Sequence, residues 1–142
     1  MHEELEENMQ SNVGIVRNAE LLSEGINKLE NLKESYKEVK ANGASQYNPG
    51  WHEALALRNL MITAESVARA ALMREESRGA HTRIDFPGEQ DEWLQSNVVT
   101  YKGDDGKMVT KKIDREKPNP ELERIANLSI DELEKEVTRE GN

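Results

Sequence analysis

Asn48-Pro49-Gly50-Trp51-His52-Glu53-Ala54-Leu55-Ala56-Leu57-Arg58-Asn59-Leu60-Met61-Ile62-Thr63-Ala64-Glu65-Ser66-Val67-Ala68-Arg69-Ala70-Ala71-Leu72-Met73 is the stretch from which the rest of the chain is read. Asn48 offers a side-chain acceptor at an N-cap, and Pro49 takes the first helical position, where its missing N–H costs nothing. From Trp51 to Glu76 neither Gly nor Pro intervenes, so the pattern predicts one long helix over Asn48–Glu76. Leu55, Leu57, Leu60, Met61, Ile62, Ala64, Val67, Ala68, Ala71 and Leu72 cover more than one stripe, and a helix apolar on so much of its circumference is expected to be mostly buried. Arg58, Glu65, Arg69 and Glu76 fall near one line, because steps of seven and four return close to the same face. That line reads either as a solvated edge with Glu65 paired to Arg69, or as a charged seam that docks on a partner.

Upstream, Asn18 is an N-cap candidate ahead of Leu21, Leu22, Ile26, Leu29, Leu32, Tyr36 and Val39, which recur at three- and four-residue steps and predict a helix from Ala19 to about Lys40. Asn42-Gly43 ends it, since both residues tolerate a left-handed backbone, and 43–47 reads as a loop. Glu3 to Asn12 carries a single stripe, Leu5, Met9 and Val13; so short a helix has to dock on something. Downstream, Arg78 to Gly88 has no helical period and ends in a Pro-Gly turn signal. Trp93–Tyr101 and Lys107–Ile113, rich in Val, Thr and Tyr, flank Gly103-Asp104-Asp105-Gly106 and predict a β-hairpin, which as two strands needs the bundle to lie against. Pro118 and Pro120 mark a linker, and Ser129-x-x-Glu132 is a capping box ahead of Leu133 and Val137, so the tail carries one or two short helices. The expected fold is mainly α: an antiparallel three-helix bundle, spectrin-repeat-like, over 1–87; a loop and β-hairpin packed on it over 88–116; and an acidic tail with a short helix over 117–142.

Composition narrows the function. A length of 142 residues favours one domain, and 28 acidic against 19 basic side chains, net −9, oppose a nucleic-acid partner, which needs clustered Lys and Arg. The absence of cysteine removes disulfides, thiolate metal sites, Cys-ligated iron–sulfur clusters and thiol nucleophiles. No apolar run approaches a membrane span, and Met1-His2-Glu3-Glu4 is acidic where an export signal is basic and then apolar, so direct membrane insertion is not expected. Six aromatic residues are few, so the core is expected to be lean, built from aliphatic side chains on helices, with an outer face that needs another surface.

The chemistry-bearing patterns are mostly absent. The nine glycines never fall in the G-x-G-x-x-G spacing that a flavin or nucleotide pyrophosphate needs, and His2, His52 and His81 lack metal-ligand spacing. Gly103–Gly106 lacks the twelve-residue calcium pattern and reads as a hairpin turn. Catalytic, cofactor-binding and metal-ligating residues are therefore assigned to none of this chain. One segment stands apart: Arg74-Glu75-Glu76-Ser77-Arg78-Gly79-Ala80-His81-Thr82-Arg83, with Arg, His and small residues at the exit of the long helix. It reads as an anchor loop, because guanidinium suits carboxylates and carbonyls and Gly79 allows close backbone approach, or as a helix terminus whose Arg and His satisfy the last carbonyls.

The run from Asn48-Pro49-Gly50-Trp51 through Leu57-Arg58-Asn59-Leu60 to Glu76-Ser77-Arg78-Gly79-Ala80-His81-Thr82-Arg83-Ile84-Asp85-Phe86-Pro87 resembles the C-terminal helical domain of the succinate dehydrogenase and fumarate reductase flavoprotein subunit. Met9-Gln10-Ser11-Asn12-Val13-Gly14-Ile15-Val16-Arg17 is similar to the family's entry into this domain, and Trp93 with the following hairpin to its closing β-element. L-aspartate oxidase is more distantly similar, but generally lacks the hairpin. The resemblance implies a piece of an oxidoreductase that interconverts succinate and fumarate in electron transport and the tricarboxylic acid cycle. FAD is then held by other domains of the subunit, electrons pass to an iron–sulfur subunit, and the enzyme is peripheral on the inner face of the cell membrane through a membrane anchor. The catalytic positions of the family lie N-terminal to such a segment, so this chain is expected to be inactive alone. Ser77, Arg78, Gly79, His81 and Arg83 are then the motif that docks the domain on the FAD-binding and capping domains. The alternative from the residues alone is a free-standing acidic helical adaptor that binds a partner through its seam and tail.

Overall fold

The computed structural model describes residues 1–44 and 46–140; Ser45, within the loop expected over 43–47, and Gly141 and Asn142, at the end of the expected tail, lie outside the described residues. In chain order the elements are α1 (His2–Asn12), β1 (Val16–Arg17), α2 (Ala19–Tyr36), α3 (Pro49–Met73), β2 (Thr82–Arg83), α4 (Asp91–Leu94), β3 (Ser96–Lys102), β4 (Met108–Asp114), α5 (Pro120–Ala126) and α6 (Ile130–Glu140). The expected architecture holds: α1, α2 and α3 form the bundle, and the hairpin β3–β4 lies against α3. The core is lean and aliphatic, with Leu5, Val13, Leu22, Ile26, Leu29, Leu57, Met61, Ala64, Ala68 and Ala71.

The short α1 docks on α2 through a close approach that Gly25 permits. A Cβ at Gly25 would sit 3.0 Å from both Asn12 Cβ and Val13 Cγ2. Asn8 Nδ2 donates to the Gly25 carbonyl at 3.0 Å and Asn12 Nδ2 donates to Asn8 Oδ1 at 2.8 Å, so the two buried amides are satisfied inside the helix contact. Asn18 caps α2, its side chain accepting from the Leu21 amide at 2.8 Å.

Three expectations need correction. The second helix ends at Tyr36, not near Lys40: Tyr36 Oη donates to the Ala54 carbonyl at 2.8 Å, and past this last interior anchor the exposed residues 37–39 bond only three residues back. The third helix ends at Met73, not Glu76, because the Arg74 backbone turns extended (ψ 104°) and its carbonyl is taken by later side chains. Nor is α3 mostly buried. It covers one stripe, from Leu57 to Ala71, while Trp51, Leu55, Leu60, Ile62 and Val67 stay exposed, since the described chain has too few other elements to sheathe a 25-residue helix.

The polar line on α3 is neither a solvated edge nor a free seam. Glu65 is buried and accepts from Arg69 on its own helix and from Lys33 on α2, and Arg69 reaches Glu30 of α2 at 2.8 Å. These ions bolt α2 to α3; of the same line, Arg58 has no ion pair among the described residues and Glu76 lies past the end of α3.

The hairpin is present but shifted, with Ser96 opposite Asp114 and Lys102 opposite Met108; Trp93 sits in the helical turn α4 before it. Ser66 Oγ and Thr100 Oγ1, 2.6 Å apart, tie it to α3. Its tip is the expected turn, with Gly106 at φ +80° and its amide donating to the Gly103 carbonyl at 2.9 Å. Between α3 and α4 the chain is non-helical as expected, but it also contributes β2 to a two-residue parallel ladder with β1 (Val16 beside Thr82, Arg17 beside Arg83) that no sequence period announces. The tail forms two short helices, the second opened by the predicted capping box, in which the Ser129 amide and hydroxyl donate to Glu132 Oε2 at 2.8 and 2.6 Å. No described helix is long and apolar enough to cross a membrane.

Candidate functional site

A helix end leaves four carbonyls without intrahelical partners, and at α3 those carbonyls point into the protein. Arg83, 1 % exposed, serves them: its Nη1 donates to the carbonyls of Ala71, Leu72 and Arg74 at 3.0, 3.0 and 3.1 Å. Its Nε and Nη2 make a two-point bond to Asp85, 2.8 Å each, and the guanidinium lies over the Phe86 ring at 4.8 Å. The Arg83 hydrogen bonds hold the Asp85 carboxyl well below the usual carboxylate range despite its loss of solvent. Asp85 also accepts from the Ala19 amide at 2.9 Å, which ties the start of α2 to the end of α3.

His81 Nε2 lies 3.1 Å from the Arg74 carbonyl and Nδ1 lies 2.7 Å from Arg17 Nη1. A guanidinium only donates and a carbonyl only accepts, so the partners assign the proton to Nε2 and leave the ring neutral. Burial lowers the His81 pKa most; the carbonyl bond opposes it, and the charges of Arg17, Arg83 and Arg74 lower it further. Arg17 Nε in turn bonds the Val13 and Gly14 carbonyls at the end of α1, and burial lowers its pKa as well. Two helix C-termini thus converge on a pair of arginines, Arg17 linked through the His81 imidazole to the Arg74 carbonyl that Arg83 also holds, the charge a helix C-terminus favours.

Glu76 is fully buried beside them. It accepts from Arg74 Nε at 2.8 Å, from Arg78 Nε and Nη2 at 3.1 and 3.2 Å, and from the Gln90 amide at 2.9 Å. Burial alone raises its pKa; the bonds from Arg78, Gln90 and Arg74 outweigh that and bring it down to about 2. Arg78 continues to Glu89 at 2.9 Å. Arg74 also covers Trp93, its guanidinium 5.4 Å from the ring, with Lys112 of β4 4.1 Å away, so this knot reaches the hairpin. Ser77 Oγ accepts from the Arg83 amide at 2.8 Å and lies 3.0 Å from the carbonyls of Arg83 and Phe86. Arg78 and His81 exchange backbone bonds of 2.9 and 3.0 Å around an exposed Gly79-Ala80 tip, where Gly79 takes φ +57°.

The five residues singled out in the sequence therefore gather in one knot, but they do not all face outward. Ser77, His81 and Arg83 build the inside of the loop, Gly79 sits at its tip, and Arg78 is half-buried. Sequence reasoning missed Arg17, Asp85 and Trp93 as members. Only Asp85, two residues after Arg83, left a local trace in the sequence. β1 passes directly into α2 through Asn18, with no glycine loop between strand and helix.

Known proteins share the sequence pattern and the overall fold. The family described as fumarate reductase flavoprotein C-term matches residues 2–134. The chain is 38 % identical over 102 residues to a fumarate reductase (CoM/CoB) subunit of Methanothermobacter marburgensis, covering 72 % of this chain and 19 % of that one. It is 38 % identical over 96 residues to a succinate dehydrogenase flavoprotein subunit of Rickettsia bellii, covering 66 % and 16 %. A chain of the apo Sdh1 complex of Mycobacterium smegmatis superposes with a TM-score of 0.80 at 38 % identity, over 94 % of this chain and 23 % of that one. The chain thus spans about a fifth of the length of the curated relatives it matches. Matched by the family over residues 2–134, the chain belongs to the succinate dehydrogenase and fumarate reductase flavoprotein C-terminal domain family.

Proposed function

We propose that this chain completes an FAD-dependent oxidoreductase that interconverts succinate and fumarate, docking on the FAD-binding and capping domains and contributing no catalytic group. The observation that carries the docking is the β1–β2 ladder. Parallel strands are normally covered on both faces. In this ladder Arg17 and Arg83 face inward, while Val16 and, just past β2, Ile84, whose amide donates to the Arg17 carbonyl, are each 60 % exposed. Such a face fits a surface supplied by the part of the protein outside this chain. The motif Ser77, Arg78, Gly79, His81 and Arg83 holds that face rigid and presents the loop tip. The hairpin supports the succinate/fumarate branch over L-aspartate oxidase. The further partners are a membrane anchor and an iron–sulfur subunit, which makes the assembled enzyme peripheral on the inner face of the cell membrane.

The test supplies the chain in trans to a succinate dehydrogenase flavoprotein body lacking its own C-terminal domain. Association and restored succinate-dependent reduction of an artificial acceptor are expected. Substituting Arg78→Ala with His81→Ala should lose the association, as should Ile84→Asp. Turnover by the chain alone, or no association of the unaltered chain, sinks the proposal.

A further inference from the structure

Between α2, α3 and the hairpin tip lies an open groove of about 1020 Å³. One wall is the Lys33–Glu65–Arg69 bridge, already satisfied. Exposed Ile62 and Tyr101, with half-buried Met108, supply apolar surface. Arg58, Lys102 and Lys107 stand around it, and none has a carboxylate within ion-pair distance among the described residues. Three cations without an ion-pair partner among the described residues share one groove in a chain of net charge −9. A groove with apolar walls and basic rims suits an acidic amphipathic segment.

The chain carries such a segment. In α6, Ile130 and Leu133 stand three residues apart and form an apolar stripe, which the helical period sets beside Glu134. Ile130 is 75 % exposed, and among the described residues no tail residue lines the groove. An eleven-residue helix is marginal alone, so this one needs a surface for its stripe. The groove is within reach: residues 115–119 extend up to about 17 Å and α5 adds about 10 Å, against about 20 Å along β4 from Asp114 to Met108. A tether of this length gives the chain's own tail a large advantage in effective concentration over any free partner.

We propose that α6 lies down in this groove of its own chain, its stripe on Ile62, Tyr101 and Met108 and its acidic flank toward Arg58, Lys102 and Lys107. The test exploits the absence of cysteine: Lys135→Cys, on the side of α6 away from the stripe, provides the only thiol for a nitroxide label on the full chain. Amide signals of Ile62 and of Tyr101 to Met108 should lose most of their intensity in the labelled, ¹⁵N-enriched protein. Intensity should return in Ile130→Asp with Leu133→Asp, which alters only the tail, and in Lys102→Glu with Lys107→Glu. The proposal is overturned if those amides keep their intensity, or if charge reversal leaves the loss unchanged. It is equally overturned if the loss appears when label and ¹⁵N sit on different molecules, which would assign the groove to the tail of a second copy.

Discussion

Glu76 is, with Asp85, one of two carboxylates on which the acid stability of this domain turns. Its carboxylate has lost all contact with water, yet two arginines and the Gln90 amide hold it at a pKa of about 2, against an ordinary 4.5. Between those values the unfolded chain binds a proton that the folded chain refuses, so stability falls as pH drops from about 4.5 towards 2. His81, neutral in the fold and lowered from 6.5, adds an earlier limb of the same sign, beginning as pH falls through that value. Glu76→Gln leaves two guanidiniums without their shared charge and should cost about 3–5 kcal/mol at neutral pH. The same variant should make the acid limb below pH 4.5 shallower, leaving the part that Asp85 contributes, as urea unfolding at neutral and acid pH would show. The motif around Glu76 was legible as a group of residues, since Ser77 to Arg83 is contiguous in sequence. Its orientation was not, because which guanidinium turns inward depends on where the carbonyls of α3 and α1 end.

Among the elements, α1 and α2 meet at a glycine that helix propensity alone disfavours. Gly25→Ala gains about 1 kcal/mol of intrinsic helix preference. It also drives a methyl to within 3.0 Å of Asn12 and Val13, and Asn12 is held in place by its bond to Asn8. Overpacking of a fixed contact costs about 1–3 kcal/mol. The expected outcome is a net loss, read as a lower thermal midpoint. A rise would show that α1 yields at this contact. The helix starts were readable from sequence because caps act locally: Asn18 and Asn48 both accept the expected amides, from Leu21 and Trp51. The helix ends were not. α2 stops at Tyr36 because Tyr36 finds the Ala54 carbonyl, and α3 stops at Met73 because Arg83 and His81 claim the Arg74 carbonyl, all contacts with distant chain.

At the scale of the whole molecule, Trp93 joins what the sequence separates into bundle and hairpin. It is buried between Arg74 at the end of α3 and Lys112 on β4, and its carbonyl accepts from Arg74 at 3.2 Å. Trp93→Ala should cost about 3–5 kcal/mol. Amides of the hairpin and of the loop around Glu76 should lose hydrogen-exchange protection together; loss confined to the hairpin would show that the two are independent units. The amino-acid sequence by itself determined the three helices, the hairpin, the capped tail and the family, because periodicity, caps, turn residues and a contiguous motif are properties of neighbours along the chain. Only the tertiary structure decided the β1–β2 ladder, the bolt of Lys33, Glu65 and Arg69, the place of Arg17 and the exposure of α3. Each of those depends on groups tens of residues apart, and on how much surface a lean bundle has available to cover its longest helix.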